Sequence, residues 1–122
     1  PHGAGTIEVE GWWVMAANVE TITVSSGGPW DSVHNTLDTT LADTITVNCT
    51  GESYKVEVFN RSTTQPLYVE VTDTAVALAN GTLYIPTSSG AAWKMGPGVC
   101  AVSIVGSAND YSVHVVPQSA WA

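Results

Sequence analysis

Eleven carboxylates, three histidines and two cysteines are the groups through which this chain could do chemistry. A hydrolytic serine needs a base within hydrogen-bond reach. No G-x-S-x-G elbow occurs. His114 alternates with Val113 and Val115 and shares a strand face with Ser112 and Val116, so it reads as an ordinary strand histidine. His34 lies in a stretch without clear period, and His2 stands one position too late to be an amino-terminal metal ligand. Paired carboxylates could serve glycoside hydrolysis, but that needs a deep cleft, which a short chain builds with difficulty. Asp31, Asp38, Asp43 and Asp73 fall at turns or strand ends, where Asp accepts backbone hydrogen bonds. Their spacing matches no calcium loop. The expectation is therefore no enzyme, no metal and no cofactor.

Cys49 and Cys100 fall in or beside expected strands and read as two small buried apolar residues. A disulfide between them is the alternative and would imply an oxidising compartment. Asn48, Asn60 and Asn80 each begin an N-x-S/T triplet, a number close to chance in a chain this rich in Ser and Thr, and glycosylation is not inferred.

Five tryptophans against one phenylalanine skew the aromatic choice. Trp12 and Trp13 point to opposite faces of a regular strand, so one of the two faces away from a core. Trp121 stands one residue from the end of the chain, where ends usually fray, and a Trp there makes sense if it docks on something. Two or three of Trp12, Trp13, Trp30, Trp93 and Trp121 are expected in the core. The rest are candidates for contacts with protein, or with sugar rings that stack on indole faces.

The elements that must hold these groups are strands. At 122 residues the chain is read as a single domain over 1–122. Charged residues make up only 11%, so Ser, Thr, Asn and Gly must cover the surface, and abundant Thr and Val favour β structure. Net charge is −8, with Lys55, Arg61 and Lys94 the sole Lys or Arg. Three scattered cations argue against nucleic acid and against an anionic membrane. No apolar run reaches the length of a spanning helix.

Alternation of apolar and polar residues predicts strands over 6–15 with a bend at Gly11, and over 18–25, 43–49, 54–59, 67–72, 83–85, 99–105 and 111–116. Residues 30–42 read as an irregular connection with a short helical turn near Asp38. Turns are expected at Asn80-Gly81 and over 88–91. About eight strands with regular turns predict an antiparallel β-sandwich, jelly-roll or Greek-key.

The stretch from Lys55 to Val116, about half the chain, runs VEVFNRSTTQ, LYVEV, NGTLYIP, VSIVGS, YSVHVV. In this cadence it resembles the small head-decoration proteins of tailed bacteriophages. The resemblance implies a non-enzymatic virion protein, assembled in the host cytoplasm with reduced cysteines. Such a protein would bind the major capsid protein lattice, as a homo-oligomer and most readily a trimer. The alternative is a secreted carbohydrate-binding module or lectin-like adhesion domain, with weak glycan binding through surface tryptophans.

Overall fold

The computed structural model describes residues 5–9, 12–37, 42–72 and 83–121, with backbone alone for 5–9 and 12–16. Asp38, Asp73, Gly11 and the Asn80-Gly81 turn lie outside the described residues. Eleven strands are described: β1 Gly5–Val9, β2 Trp12–Ala16, β3 Val19–Ser25, β4 Asp31–Thr36, β5 Asp43–Thr50, β6 Tyr54–Asn60, β7 Leu67–Thr72, β8 Leu83–Ile85, β9 Ser89–Met95, β10 Gly98–Val105 and β11 Asp110–Pro117. A single 3-10 turn, Gln118–Ala120, follows.

Two sheets form the body, one ordered β3-β5-β10-β7-β8 and the other β4-β11-β6-β9. From β3 onward every connection but β7 to β8 passes from one sheet to the other. Without β3, the strands β4 to β11 make two four-stranded antiparallel sheets in jelly-roll order. The all-β sandwich expected from the sequence is therefore what forms. One detail departs from it: β3 is added at the edge and runs parallel to β5, Val19 opposite Thr44 through Ser25 opposite Thr50.

Period-two alternation builds the core. Tyr54, Val56 and Val58 on β6 and Tyr111, Val113 and Val115 on β11 face Ile45 and Val47 on β5, Leu67 and Val69 on β7, and Val102 and Ile104 on β10. All are buried. Burying each aliphatic side chain of this size contributes roughly 1.5–3 kcal/mol before conformational entropy is set against it.

Three expected elements differ. Residues 6–15 form two strands, β1 and β2, paired antiparallel with Glu8 opposite Trp13, in place of one bent strand. Within 30–42, residues 31–36 form β4, not an irregular connection. The inward positions there are Val33 and Asn35, and a polar residue on the core side erases the apolar period. The expected turn at 88–91 is mostly strand β9. Its run of Gly90, Ala91 and Ala92 has too little apolar contrast to show alternation.

Asn35 is tolerated inside because its partners are there too. Its amide donates to the Glu20 carboxylate and to the Tyr111 hydroxyl (3.3 Å). Tyr111 donates to Asp43 Oδ2 at 2.7 Å, and Asp43, fully buried, also accepts the Asn18 backbone N–H (2.8 Å) and side-chain amide (2.7 Å). Burial and the Asp43 carboxylate push the Tyr111 phenol well above its ordinary range.

Cys49 and Cys100 are buried free thiols on the inner face of β5 and β10. Burial raises both thiols, which leaves little thiolate for reaction. This fits the small-apolar reading of the pair.

Candidate functional site

The outer face of the four-stranded sheet gathers most of the chain's unusual side chains. Register places them in rows. Ser32, His114, Glu57 and Ala92 lie side by side across β4, β11, β6 and β9, and so do His34, Ser112, Phe59 and Gly90. Val116, Lys55 and Lys94 form the next row across three of these strands. Each is the outward partner of an inward Val, Tyr, Trp or Met, so the alternation that makes the core also makes this surface.

The rings on this face touch. The Trp30 and His114 centroids are 5.6 Å apart with the planes at 30°. His34 meets His114 edge-on at 5.9 Å, and Phe59 lies 5.2 Å from His114. His34 Nδ1 is 2.6 Å from Ser112 Oγ, and its Nε2 is 3.3 Å from Ser32 Oγ, which fixes the ring on both sides. Trp30 is 56% exposed and Phe59 38%.

Phe59 owes its position to Gly90. A Cβ on Gly90 would stand 2.6 Å from Phe59 Cδ1, so only a bare backbone lets the ring lie across the neighbouring strand. The ring then separates two depressions. One, of about 520 Å³, is lined by Phe59, Asn60, Arg61, Ser88, Ser89, Gly90, Ser112 and His114. The other, of about 240 Å³, is lined by Glu57, Phe59, Gly90, Ala91 and Ala92. The larger falls within the usual size range of small-ligand sites.

One wall of the larger depression is held by a pair of buried asparagines. Asn60 Nδ2 donates to the carbonyls of Gln65 (2.9 Å), Pro86 (3.1 Å) and Ile85 (3.3 Å). Asn60 Oδ1 accepts from Ser62 N (3.1 Å) and from Asn109 Nδ2 (3.0 Å). Asn109 also reaches the carbonyls of Gln65 and Pro66. Ser88 N donates to Ser62 O at 3.0 Å, and Ser88 itself has φ 54°. Three loops are thus tied at one end of the sandwich, and Arg61 projects from the tied end. Asn60 is 1% exposed and fully engaged, so its N-x-S triplet is structural.

At the other end of the face lies Trp121. It is not frayed. Its indole N–H donates to Val116 O at 3.0 Å, and the Lys55 and Lys94 ammonium groups each stand 5.7 Å from its ring centroid. Glu52 clamps the segment that carries it, accepting from Ser119 N (2.6 Å), Ser119 Oγ (3.0 Å) and Gly27 N (2.5 Å). The Gly27 and Ser119 hydrogen bonds hold the Glu52 carboxyl below its usual range.

The five tryptophans therefore divide. Trp30 and Trp121 belong to this face, while Trp93 points inward and is packed, half-buried, against the core. Trp12 and Trp13 lie on β2, and their side chains are outside the described residues. His34, His114, Phe59 and the three cations join the face although the sequence did not single them out as a group. The signal was the outward parity of Lys55, Glu57 and Phe59 on one strand and Ser112 and His114 on another. What was missing was that the two strands are neighbours. Among the described residues no group of three or more His, Cys, Asp or Glu is placed to hold a metal ion.

No protein-family model matches the chain, and neither does any curated protein. Among solved structures it is similar to the pre-peptidase C-terminal domain of a Bacillus anthracis collagenase, at 12% identity and TM-score 0.45, covering 83% of this chain and 95% of that one. It is similar to the Aeromonas hydrophila periplasmic inhibitor of g-type lysozyme, at 13% identity and TM-score 0.48, covering 84% and 100%. It is also similar to the surface-associated copper-binding protein CorA of Methylomicrobium album, at 8% identity and TM-score 0.41, covering 83% and 98%. Likeness at this level carries no function across.

Proposed function

We propose that this is a non-catalytic binding module that takes a sugar chain on the outer face of its four-stranded sheet. The observation that carries the reading is the run of rings formed by exposed Trp30 and Phe59 with half-buried His114 between them, beside a depression rimmed by Ser, Asn and Arg. A pyranose ring presents weakly positive C–H groups on its face and hydroxyls at its edge. Aromatic faces attract the first, and fixed polar groups bind the second. Gly90, Ser112 and the asparagine ties hold the rings and the rim before any ligand arrives, which lowers the ordering cost of binding. The role suits an extracellular adhesion domain. A glycan array probed with the intact chain tests it: binding that disappears in Phe59→Ala is expected, and an array without a binder at millimolar sensitivity overturns it.

A second reading is a capsid decoration protein that seats on a head lattice as an oligomer. It is favoured by a different surface. Val19, Tyr68, Tyr84 and Val99 are exposed on the outer face of the five-stranded sheet, with Val19 75% exposed. Tyr68 and Tyr84 meet edge-on across β7 and β8, their centroids 5.6 Å apart. Apolar contact of that kind suits many-copy attachment, where avidity multiplies a weak joint. Sedimentation as a strict monomer with no affinity for capsids would remove this reading and leave the first untouched.

A further inference from the structure

Charge on the binding face runs against charge in the chain as a whole. The chain carries −8 with eleven carboxylates, yet all three of its Lys and Arg residues stand on or at the rim of this one face. Lys55 has Glu57 at 3.8 Å. Among the described residues no carboxylate lies within ion-pair distance of Arg61 or Lys94. With carboxylates outnumbering cations so heavily, two cations that make no ion pair among the described residues, beside an aromatic platform, are suited to an anionic group brought by a ligand.

Resting on the sugar-binding reading above, we propose that the ligand is a polysaccharide bearing uronic acid units, with one carboxylate taken by Arg61. The guanidinium forks two parallel N–H groups toward the two oxygens of a carboxylate, a match that an ammonium lacks. Arg61 lines the larger depression on one side of the Phe59 ring. Glu57 lines the smaller one on the other side. A sugar stacked on Phe59 with its acid group in the larger depression meets Arg61 there, while Glu57, the cross-strand neighbour of His114, lines the smaller one. Lys94, at the Trp121 end, is the second unpaired cation and would take a carboxylate farther along the chain. At physiological salt the screening length is about 8 Å, so the carboxylates that weigh against these cations are those of the same face, Glu57 beside Lys55 and Asp110 beside Arg61.

The test is isothermal titration of the intact 122-residue chain with three uronans (polygalacturonate, alginate and hyaluronate) and with fully methyl-esterified polygalacturonate, which keeps the backbone and removes the charge. At least one uronan should bind, the methyl ester of polygalacturonate at least tenfold more weakly than its acid if that is the one, and affinity should fall between 0.15 and 1 M salt. Arg61→Gln, an exposed position, should weaken uronan binding about tenfold, or ~1.4 kcal/mol, with unfolding unchanged. Equal binding of acid and ester, or indifference to Arg61→Gln, would overturn the proposal while a Phe59-dependent signal kept the sugar-binding reading alive. Failure of all three uronans with binding to neutral glycans has the same effect. Binding to dextran sulfate with all uronans refused would show a general anion patch and sink the carboxylate assignment. Failure of every glycan, neutral or acidic, would remove both.

Discussion

The two outer faces of this sandwich are made by the same alternation and end up chemically opposite. On the five-stranded sheet the rows read Thr21, Thr46, Ala101, Thr72 and Val19, Thr44, Ser103, Glu70. No Lys, Arg or His stands among the described residues of that face, and Ala101 and Ser103 at its centre are buried. On the four-stranded sheet the corresponding rows hold rings, cations and two depressions. The inward residues of both sheets meet in one apolar core, Ile, Leu, Val and Cys from the five-stranded sheet and Val, Tyr, Trp and Met from the four-stranded one. One core thus supports an uncharged-to-acidic face of Thr with exposed Val and Tyr on one side and a surface of rings, cations and depressions on the other, and function is to be sought where the outward residues stop being generic.

That contrast can be broken most forcefully at its supports. Asn60→Ala should cost about 3 kcal/mol of stability, because several buried carbonyls and the Asn109 amide lose a partner. Thr46→Ala, at a half-buried position on the other face, should stay within about 0.5 kcal/mol. Urea denaturation of the two variants measures the difference, and equal losses would mean the ties do not support one face selectively.

The next effect is on binding. Phe59→Ala should weaken glycan affinity about tenfold, ~1.4 kcal/mol, and Tyr68→Ala should leave it unchanged. The opposite pattern in a titration would move the site to the five-stranded sheet. Smaller again, Gly90→Ala should push the Phe59 ring out of place and weaken binding a few-fold, with the fold kept. A shifted set of Phe59 ring resonances by NMR would report the displacement directly.

The smallest effect expected is one of pH. Glu52 has a lowered carboxyl pKa, so its clamp on Ser119 and Gly27 is fully present above the ordinary carboxyl range, about 4.3, and is lost as pH falls through the lowered value. Acidification should therefore loosen the 3-10 turn and shift the Trp121 indole N–H resonance. In Glu52→Gln that acid transition should vanish. An unmoved indole in the native protein would show that Val116 and the two lysines hold Trp121 without the clamp.

Much of the sandwich is legible in the sequence because strands β5, β6, β7 and β11 alternate over most of their six to eight residues, while β10 stands out as a short Val- and Ile-rich run bounded by glycines. Strand β4 hides because Asn35 is satisfied only by Tyr111 and Glu20, partners distant in the chain. Strand β9 hides because Gly90 serves the Phe59 ring and contributes no apolar signal. The outer face of the four-stranded sheet is harder to see than either. His34, Phe59 and His114 are separated by tens of residues, and nothing local to any of them says that β11 inserts between β4 and β6. Trp121 is expected to dock on something, and the contacts it makes within the chain, through the Glu52 clamp and Val116 O, are ones no local pattern announces.

The placement of β11 also bears on biosynthesis. It is the closing strand of the described chain and the middle neighbour of two strands made long before it. During translation β4 and β6 emerge with no template between them, and every pairing in that sheet but β6 with β9 waits for residues 110–117. A nascent chain halted short of them lacks the strand that joins β4 to β6, so the outer face of this sheet is assembled only once β11 has emerged.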